Sequence, residues 1–554
     1  MSSGPQSTSP TSSGARTDDP APRATVFSGG TVWCGTGLPD SDALAVVDGR
    51  VVALGAEAHG WPGPRDDVDL AGGLLSPAFG DGHVHPHSGG ITRQGPAITG
   101  LRSVADVVAE VGRWADAHPD AAWVVGNRYD PTLAPAGEFD ARWLDEAVPD
   151  RPVVLHASDH HTVWCNSEAL RRGGVDASTV DPEVGWVVRR DDGTPLGTLR
   201  EWDACDLVLR HVPETSEADR VRALREATAA LAAAGITWAQ DAWVDPDLVP
   251  VYLRAVSEGA LSVRVDLAQR ADPASWREQV ASFARVRADV EALGDDLLSA
   301  RTVKVFVDGV VEGGTATLLE PYEDVDPGSP QAHGMPVWRP EELAAAVAAF
   351  DAAGFRLHLH VIGDAAVRQG LDVLAALPPA DRRAVLAHVQ LVDPADLPRF
   401  AATGTIANIE PLWAAWDDMQ TELTAPRLGP ERTGRQYPVA SLLAAGARLS
   451  FGSDWPVSSH VPLEGVQVVV TRVPLEDPAA ETWVPGERVG VEEALVAYTA
   501  GVAYQAGAEH ERGTLVPGAV ADLVHLSADP RAVDPLEIAA TAVLGTWLAG
   551  RRTS

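Results

Sequence analysis

The chain has 554 residues, of which 45% are apolar and 22% charged, and a formal net charge of −35. That length is too great for one ordinary core and predicts a soluble globular protein of two or three domains. The acidity argues against nucleic acid and anionic membranes as partners, because both are polyanions, and is read as a solvated surface.

Residues 1–22, MSSGPQSTSPTSSGARTDDPAP, are rich in Ser, Pro, Thr and Gly and lack the apolar segment of a signal peptide. They predict a disordered tail. From Ala24 the stretches ATVFSGGTVWCG, ALAVVDGRVVALG and VDLAGGLLSPAFGDGH alternate apolar residues with glycine turns and read as short strands. The far end repeats this texture in RGTLVPGAVADLVHLSADP and AVLGTWLAGRR. Two β-rich ends around a long middle predict one domain built from both termini. The three cysteines, Cys34, Cys165 and Cys205, form no CxxC pair, so neither a disulfide framework nor a thiolate zinc site is indicated. No apolar run approaches the roughly 20 residues of a membrane helix, and a reducing, cytoplasmic setting is expected.

The middle alternates helix, glycine and strand. VRALREATAALAAAGITWAQDAWV is an Ala-rich helix running into a strand, and the rhythm returns in EELAAAVAAFDAAGFRLHLHVIGD, AVRQGLDVLAALPPADRRAVLAHVQLV, DPADLPRFAATGTIANIEP and YPVASLLAAGARLSFGSD. Serial units of this kind predict parallel strands with crossover helices, and so many favour a (β/α)₈ barrel over an open sheet. Residues 96–215 break the rhythm with loops, Trp residues and short strands, and are read as an insertion.

In such a barrel, catalytic groups sit at the C-terminal ends of strands. LLSPAFGDGHVHPH ends in His83 and His85, FRLHLHVIGD carries His358 and His360, AVLAHVQLV carries His388, and RLSFGSDWP ends in Asp454. Residues i and i+2 of a strand point the same way, so His83 and His85 can grip one divalent ion; the alternative is a surface or turn pair. His87 follows Pro86 and is expected to leave the strand. His358 and His360 also share one face, and periodicity does not choose between them. His388 is a polar group in an apolar strand and needs a partner if buried. Asp454 either caps the following helix or is a ligand that takes a proton from a metal-activated water.

TVKVFVDG holds Lys304. Of the 43 lysines and arginines it is the only lysine. A buried lysine loses its proton readily, and the neutral amine reacts with carbon dioxide to give a carbamate, a bidentate anionic ligand. Arginine stays protonated and has no such chemistry. The alternative is an ion pair with Asp308, four residues along the same strand face.

The set His83, His85, Lys304, His360, His388 and Asp454, on strands 1, 4, 5, 6 and 8, resembles the metal-dependent amidohydrolase superfamily. The strings VKVFVDG, HVIGDAAV, LAHVQLV, FGSDWPV and GTLVPGAVADLVHL are similar to amidohydrolase family 3, the YtcJ-like group that includes N-substituted formamide deformylases. RPVVLHASDHHTVWCNSEAL and GTLRE add to this, and the similarity runs over about residues 25–550. The resemblance implies an α/β fold: a TIM barrel, a small β-sandwich formed by both termini and an inserted α+β subdomain. The expected partition is 23–77 and 511–554 for the sandwich, 78–95 and 216–510 for the barrel, and 96–215 for the insertion. One or two zinc ions, held by those six residues with Lys304 as a carbamate, are implied as well. The resemblance selects His360 over His358, because the family histidine directly precedes the xIGD string. In ANIEPLWAAWDD the family usually has Gln-Pro where this chain has Glu410-Pro411.

The expected reaction is hydrolysis of a non-peptide carbon–nitrogen amide bond in a small molecule. Asp454 shuttles the proton, and His388 or His360 helps hold the tetrahedral intermediate. Asp308, Glu410, Trp413, Trp416 and Trp455 are expected to line the substrate pocket, with His160 and His161 reaching over it. A lyase, isomerase or esterase on the same metal site, and a non-catalytic barrel binder, are the alternatives. A homo-oligomer is compatible with all of them.

Overall fold

A computed structural model describes residues 22–158, 162–182, 185–213 and 215–554. The expected disordered tail lies outside these residues except for Pro22, and His160 and His161 lie outside them as well.

Eight parallel strands form the middle of the chain: β1 (Phe79–Val84), β2 (Ile236–Val244), β3 (Arg264–Arg270), β4 (Leu298–Phe306), β5 (Arg356–Val361), β6 (Val385–His388), β7 (Ile406–Ile409) and β8 (Arg448–Phe451). They pair in chain order. Their residues are almost all buried, as parallel strands covered on both faces must be. The ring closes just beyond the strand ends. Ser453 N and Asp454 N donate to His83 O at 3.1 and 2.7 Å, and His85 N donates to Trp455 O at 2.8 Å. Asp81 reinforces the seam by accepting from Ser453 N at 3.0 Å and Ser453 Oγ at 2.6 Å. The chain is a TIM barrel.

The crossover helices follow from local sequence. Helix Glu217–Ala233 starts where Ser216 accepts from Asp219 N, with Glu217 and Asp219 placed against the positive end of the helix dipole. It buries Val221, Leu224, Thr228 and Leu231, spaced at three to four residues, against the barrel. Gly235, at φ +89°, turns the chain straight into β2. Helix Pro86–Gln94, which follows β1, lies so close to this helix that a methyl at Gly90 would sit 2.1 Å from Ala223 O.

The two β-rich ends share one hydrogen-bonded sheet of eight strands. Its seam is the antiparallel pairing of Leu74–Pro77 with Leu523–Leu526. Apolar clusters cover both faces: Phe27, Leu44, Leu75, Leu523 and Trp547 on one, Val26, Ala45, Ala53 and Ala58 on the other. The insertion forms its own five-stranded sheet, with Val124–Tyr129 at one edge. It has its own apolar clusters, one around Phe139 and Trp164 and one around Val154 and Cys165. All three cysteines are free and buried. Among the described residues, no helix is long and apolar enough to cross a membrane.

The barrel and the terminal sheet are joined by an ion pair between Arg264 Nη1 and Asp522 Oδ2 at 2.7 Å, with the two side chains only 7% and 5% exposed. Arg264 Nε also meets the exposed Asp296 at 3.1 Å, so Asp522 is its buried partner and Asp296 its solvent-side one. Asp522→Ala leaves Arg264 with Asp296 alone and is expected to lower stability by about 1–3 kcal/mol, read as a fall in the thermal unfolding midpoint relative to an exposed control such as Asp67→Ala.

Candidate metal centre

The strand ends deliver a cluster of titratable groups to one mouth of the barrel. His83 ends β1 beside Gly452, where a methyl would lie 2.7 Å from His83 Cβ, so only glycine lets β8 approach this closely. His388, Val389 and Asp454 have φ of +76°, +46° and +51°. Left-handed backbone at non-glycine residues costs about 1–3 kcal/mol each and persists where surrounding structure over-determines it, as at functional sites.

His83 is the hub. Its Nδ1 lies 3.0 Å from His358 Nε2, and its Nε2 lies 3.5 Å from Lys304 Nζ and 3.7 Å from Asp454 Oδ1. His85 Nε2 approaches Asp454 Oδ1 to 2.9 Å. The His388 ring is centred 4.5 Å from the rings of both His83 and His360. His388 Nδ1 donates to Glu410 Oε2 at 2.9 Å, which leaves Nε2 as the free nitrogen. His360 Nε2 meets Gly309 O at 3.0 Å and leaves Nδ1.

These residues fit a divalent cation. Ligand atoms of His83, His388 and Asp454 all lie within 4.8 Å of one another, and all three residues are buried. Asp454 Oδ1 is buried with imidazole nitrogens converging on it, His85 Nε2 at 2.9 Å and His83 Nε2 at 3.7 Å. A buried carboxylate with several imidazoles aimed at it is a donor set that a divalent cation completes. A nitrogen and oxygen donor set suits zinc and its neighbours among the divalent metals.

The electrostatics agree. Burial pulls Lys304 down to about 7, against the opposing pull of Asp454 and Glu410. Near neutral pH a substantial share of Lys304 is therefore free amine. Burial, with Lys304 adding to it, holds His83, His358 and His360 well below the ordinary histidine value. They are neutral and ready to ligate. Burial also lowers His85, but Asp241 and Asp454 outweigh it and raise the imidazole to about 9.

The sequence pattern of the amidohydrolase family matches residues 66–553. The chain belongs to that family. This amidohydrolase is 30% identical to Protein LONG AFTER FAR-RED 3 of Arabidopsis thaliana, over 94% of this chain and 90% of that protein. It is 28% identical to YtcJ of Bacillus subtilis (strain 168), covering 94% and 98%. It is 26% identical to the N-substituted formamide deformylase of Arthrobacter pascens, covering 92% and 94%. Its fold matches an uncharacterized metal-dependent hydrolase from Pyrococcus horikoshii OT3 with a TM-score of 0.73, at 22% identity over 92% of this chain and 99% of that one. As a member of the family the chain is a hydrolase, and His83, His388 and Asp454 are its candidate metal site.

The structure of this amidohydrolase sorts the expected site residues. His83, His85, Lys304, His388 and Asp454 meet, with His360 against His388. His358, the alternative that periodicity left open, is fully buried and supports His83 from behind. Asp308 makes no ion pair with Lys304. Its carboxylate accepts from the backbone amides of Thr317, Ile362 and Gly363 and so ties the loops after β4 and β5. Glu410 is buried against His388. Trp413 stacks on His388 with centroids 5.5 Å apart and planes 2° from parallel. Trp416 lies farther out and, with Trp483, lines an open apolar cleft of about 650 Å³. Trp455 is wedged against the helix after β1, where a methyl on Gly89 would lie 2.2 Å from its ring. His87 left its strand and meets Arg220 Nε at 3.4 Å.

Sequence reasoning passed over Asp241 and Phe306. Asp241 takes the Tyr252 hydroxyl at 2.6 Å and faces His85 Nδ1 at 3.8 Å. Phe306 lies under Lys304 Nζ, 4.7 Å from its ring centre, and against His360 and Trp243. The polar residue ending the apolar stretch ITWAQD was the available signal for Asp241; a phenylalanine in a strand carries none.

Glu410 fixes the ring that the metal site would use. Carboxylates in this position behind a ligating histidine typically contribute about 10–100-fold to metal affinity. Glu410→Leu is expected to weaken zinc binding by that factor in a chelator-competition titration. Glu410→Gln, which keeps an acceptor for Nδ1–H, should retain most of it.

Proposed function

We propose that this amidohydrolase cleaves a non-peptide carbon–nitrogen amide bond in a small molecule, using one or two zinc ions held by His83, His85, His360, His388, Asp454 and Lys304. The observation that carries this reading is the buried meeting of His83, His388 and Asp454, whose ligand atoms all lie within 4.8 Å of one another. A bound divalent ion supplies Lewis acidity toward the carbonyl and the attacking water. The protein supplies the rest. Asp454 accepts the proton of the water and returns it to the leaving nitrogen, one carboxylate serving as base and then acid. His85, raised to about 9 by Asp241 and Asp454, would hold the ion through a ring nitrogen freed of its proton. Lys304, as neutral amine, adds through Nζ to carbon dioxide, loses one proton and becomes an anionic carbamate.

Phe306, Trp243 and Trp413 form an aromatic rim beside these groups and suit an apolar substituent on the amide. The deformylase name of the Arthrobacter pascens relative makes N-formyl amides the first compounds to try. The proposed setting is cytoplasmic, with the small-molecule amide as partner and neither nucleic acid nor membrane involved.

A panel of N-formyl, N-acyl and cyclic amides assayed with zinc-loaded protein tests the reaction, with amine release as the readout. Asp454→Asn is expected to lower turnover by about 10²–10⁴-fold, the usual worth of a positioned proton carrier. Wild-type protein that retains zinc but releases no amine across the panel would sink the reading.

Lys304→Arg separates the carbamate from a plain charge. The variant is expected to lose activity and bound zinc, and to lose the carbon dioxide adduct seen on the wild-type chain by native mass measurement. Full zinc content and activity in Lys304→Arg would overturn the carbamate.

A further inference from the structure

Two segments beyond the strand ends are tied to β6, the strand that carries His388. The first follows β7. Its Trp413 stacks on the His388 ring, and Trp416 comes three residues later, a span of at most about 11 Å. The second lies beyond the helix Pro462–Thr471 that follows β8. Its Trp483 packs edge-on against Tyr437, with ring centres 6.2 Å apart. The Tyr437 amide donates to Gln390 O at 2.8 Å, close to His388 along the chain.

Buried polar groups fix both segments. Gln390 Nε2 donates to Gln436 Oε1 at 2.8 Å, and Gln436 Nε2 donates to Gln420 Oε1 at 2.9 Å. An amide chain thus runs from the end of β6 to the segment that carries Trp416. Arg472 is fully buried and donates to Trp483 O, Tyr437 O and Gln436 O at 3.3, 3.2 and 3.2 Å. Its guanidinium lies 5.0 Å from the centre of the Trp483 ring.

Between these anchored walls lies the open cleft of about 650 Å³, lined by Trp416, Pro430, Trp483, Val484 and Pro485 among others. The Trp416 and Trp483 rings stand 5.8 Å apart at 56°. Trp416, Met419 and Leu423 of the first segment are exposed. A surface that served packing alone would close on itself. Here the polar groups hold the walls, while the apolar faces stay apart and open. That is the form of a preformed small-molecule pocket, mostly apolar and typically about 300–1,000 Å³. Inclined indoles offer a flat ring one face and one edge.

We propose that the cleft between Trp416 and Trp483 is a second substrate subsite, which takes an aromatic group carried on the order of 10 Å from the amide carbonyl. The preferred substrates are then amides with a ring at the end of a spacer. The reaction rests on the amide-hydrolase reading; the ring subsite itself does not.

The test uses calorimetry on zinc-loaded full-length protein with hexyl methyl ketone and its analogue bearing a phenyl ring at the chain end. Both offer a carbonyl without an amide to cleave, and they differ only in the ring. Wild type is expected to bind the phenyl member at least ~10-fold more tightly. Trp416→Ala is expected to erase that difference without lowering the melting midpoint, because the side chain is exposed. Trp416→Phe, which keeps an aromatic face, should retain most of it. Equal binding of both ketones by wild type overturns the proposal. So does a preference that survives in Trp416→Ala, which would seat the ring elsewhere. A dimer in sedimentation that Trp416→Ala dissociates overturns it as well, because a second copy would then fill the cleft. Amine release from N-hexylformamide and its phenyl-terminated analogue is followed in parallel. Ring preference in binding without amine release from either keeps the subsite and counts against the hydrolase reading. Equal release from both, with no ring preference in binding, does the reverse.

Discussion

The site exists because β1 and β8 meet. The His83 carbonyl accepts from the amides of both Ser453 and Asp454, and Asp81 grips Ser453 through backbone and hydroxyl. These bonds bring together residues separated by most of the chain. They place Asp454 over the imidazoles of His83 and His85 and force it into left-handed backbone. Gly452 is what permits the approach. Without this seam the sheet would be open, and the two ends of the cluster would lie on opposite edges.

Once the ring is closed, desolvation governs the chemistry. Histidines, Lys304, Glu410 and Asp454 share a buried space, and charge there is expensive unless paired. The molecule answers with a neutral His83, a lysine drawn toward neutral pH and an Asp454 carboxylate paired with His85. Around this core stands support of a second kind. Glu410 holds His388, His358 holds His83, and Asp241 faces His85. Asp308 spends its oxygens on loop amides, and Trp243 packs on Phe306 beside the cluster.

Much of this was legible in the chain. The helix–glycine–strand rhythm announced the barrel, and the polar residues ending apolar strands announced the groups that meet at its mouth. β3 was less legible, because its buried residues include Arg264, Asp266 and Gln269, which spoil an apolar strand pattern and are satisfied only by tertiary partners. The choice between His358 and His360 was invisible for a different reason. A two-residue period puts both on one face, and only the depth of each along β5 sends one behind His83 and the other to the rim beside His388. The placement of Arg128 was out of reach too, since nothing local says that an insertion strand will touch Val457 in the loop after β8.

The sequence by itself determined which chemistry was available: a lone lysine where arginine serves elsewhere, paired histidines at strand spacing, and an aspartate after an apolar strand. Those are local facts, set by side-chain type and by strand periodicity. The tertiary structure decided which groups meet, how deep each lies and what each faces. Burial and approach depend on barrel closure and on the insertion, and both are assembled from contacts between residues far apart in the chain.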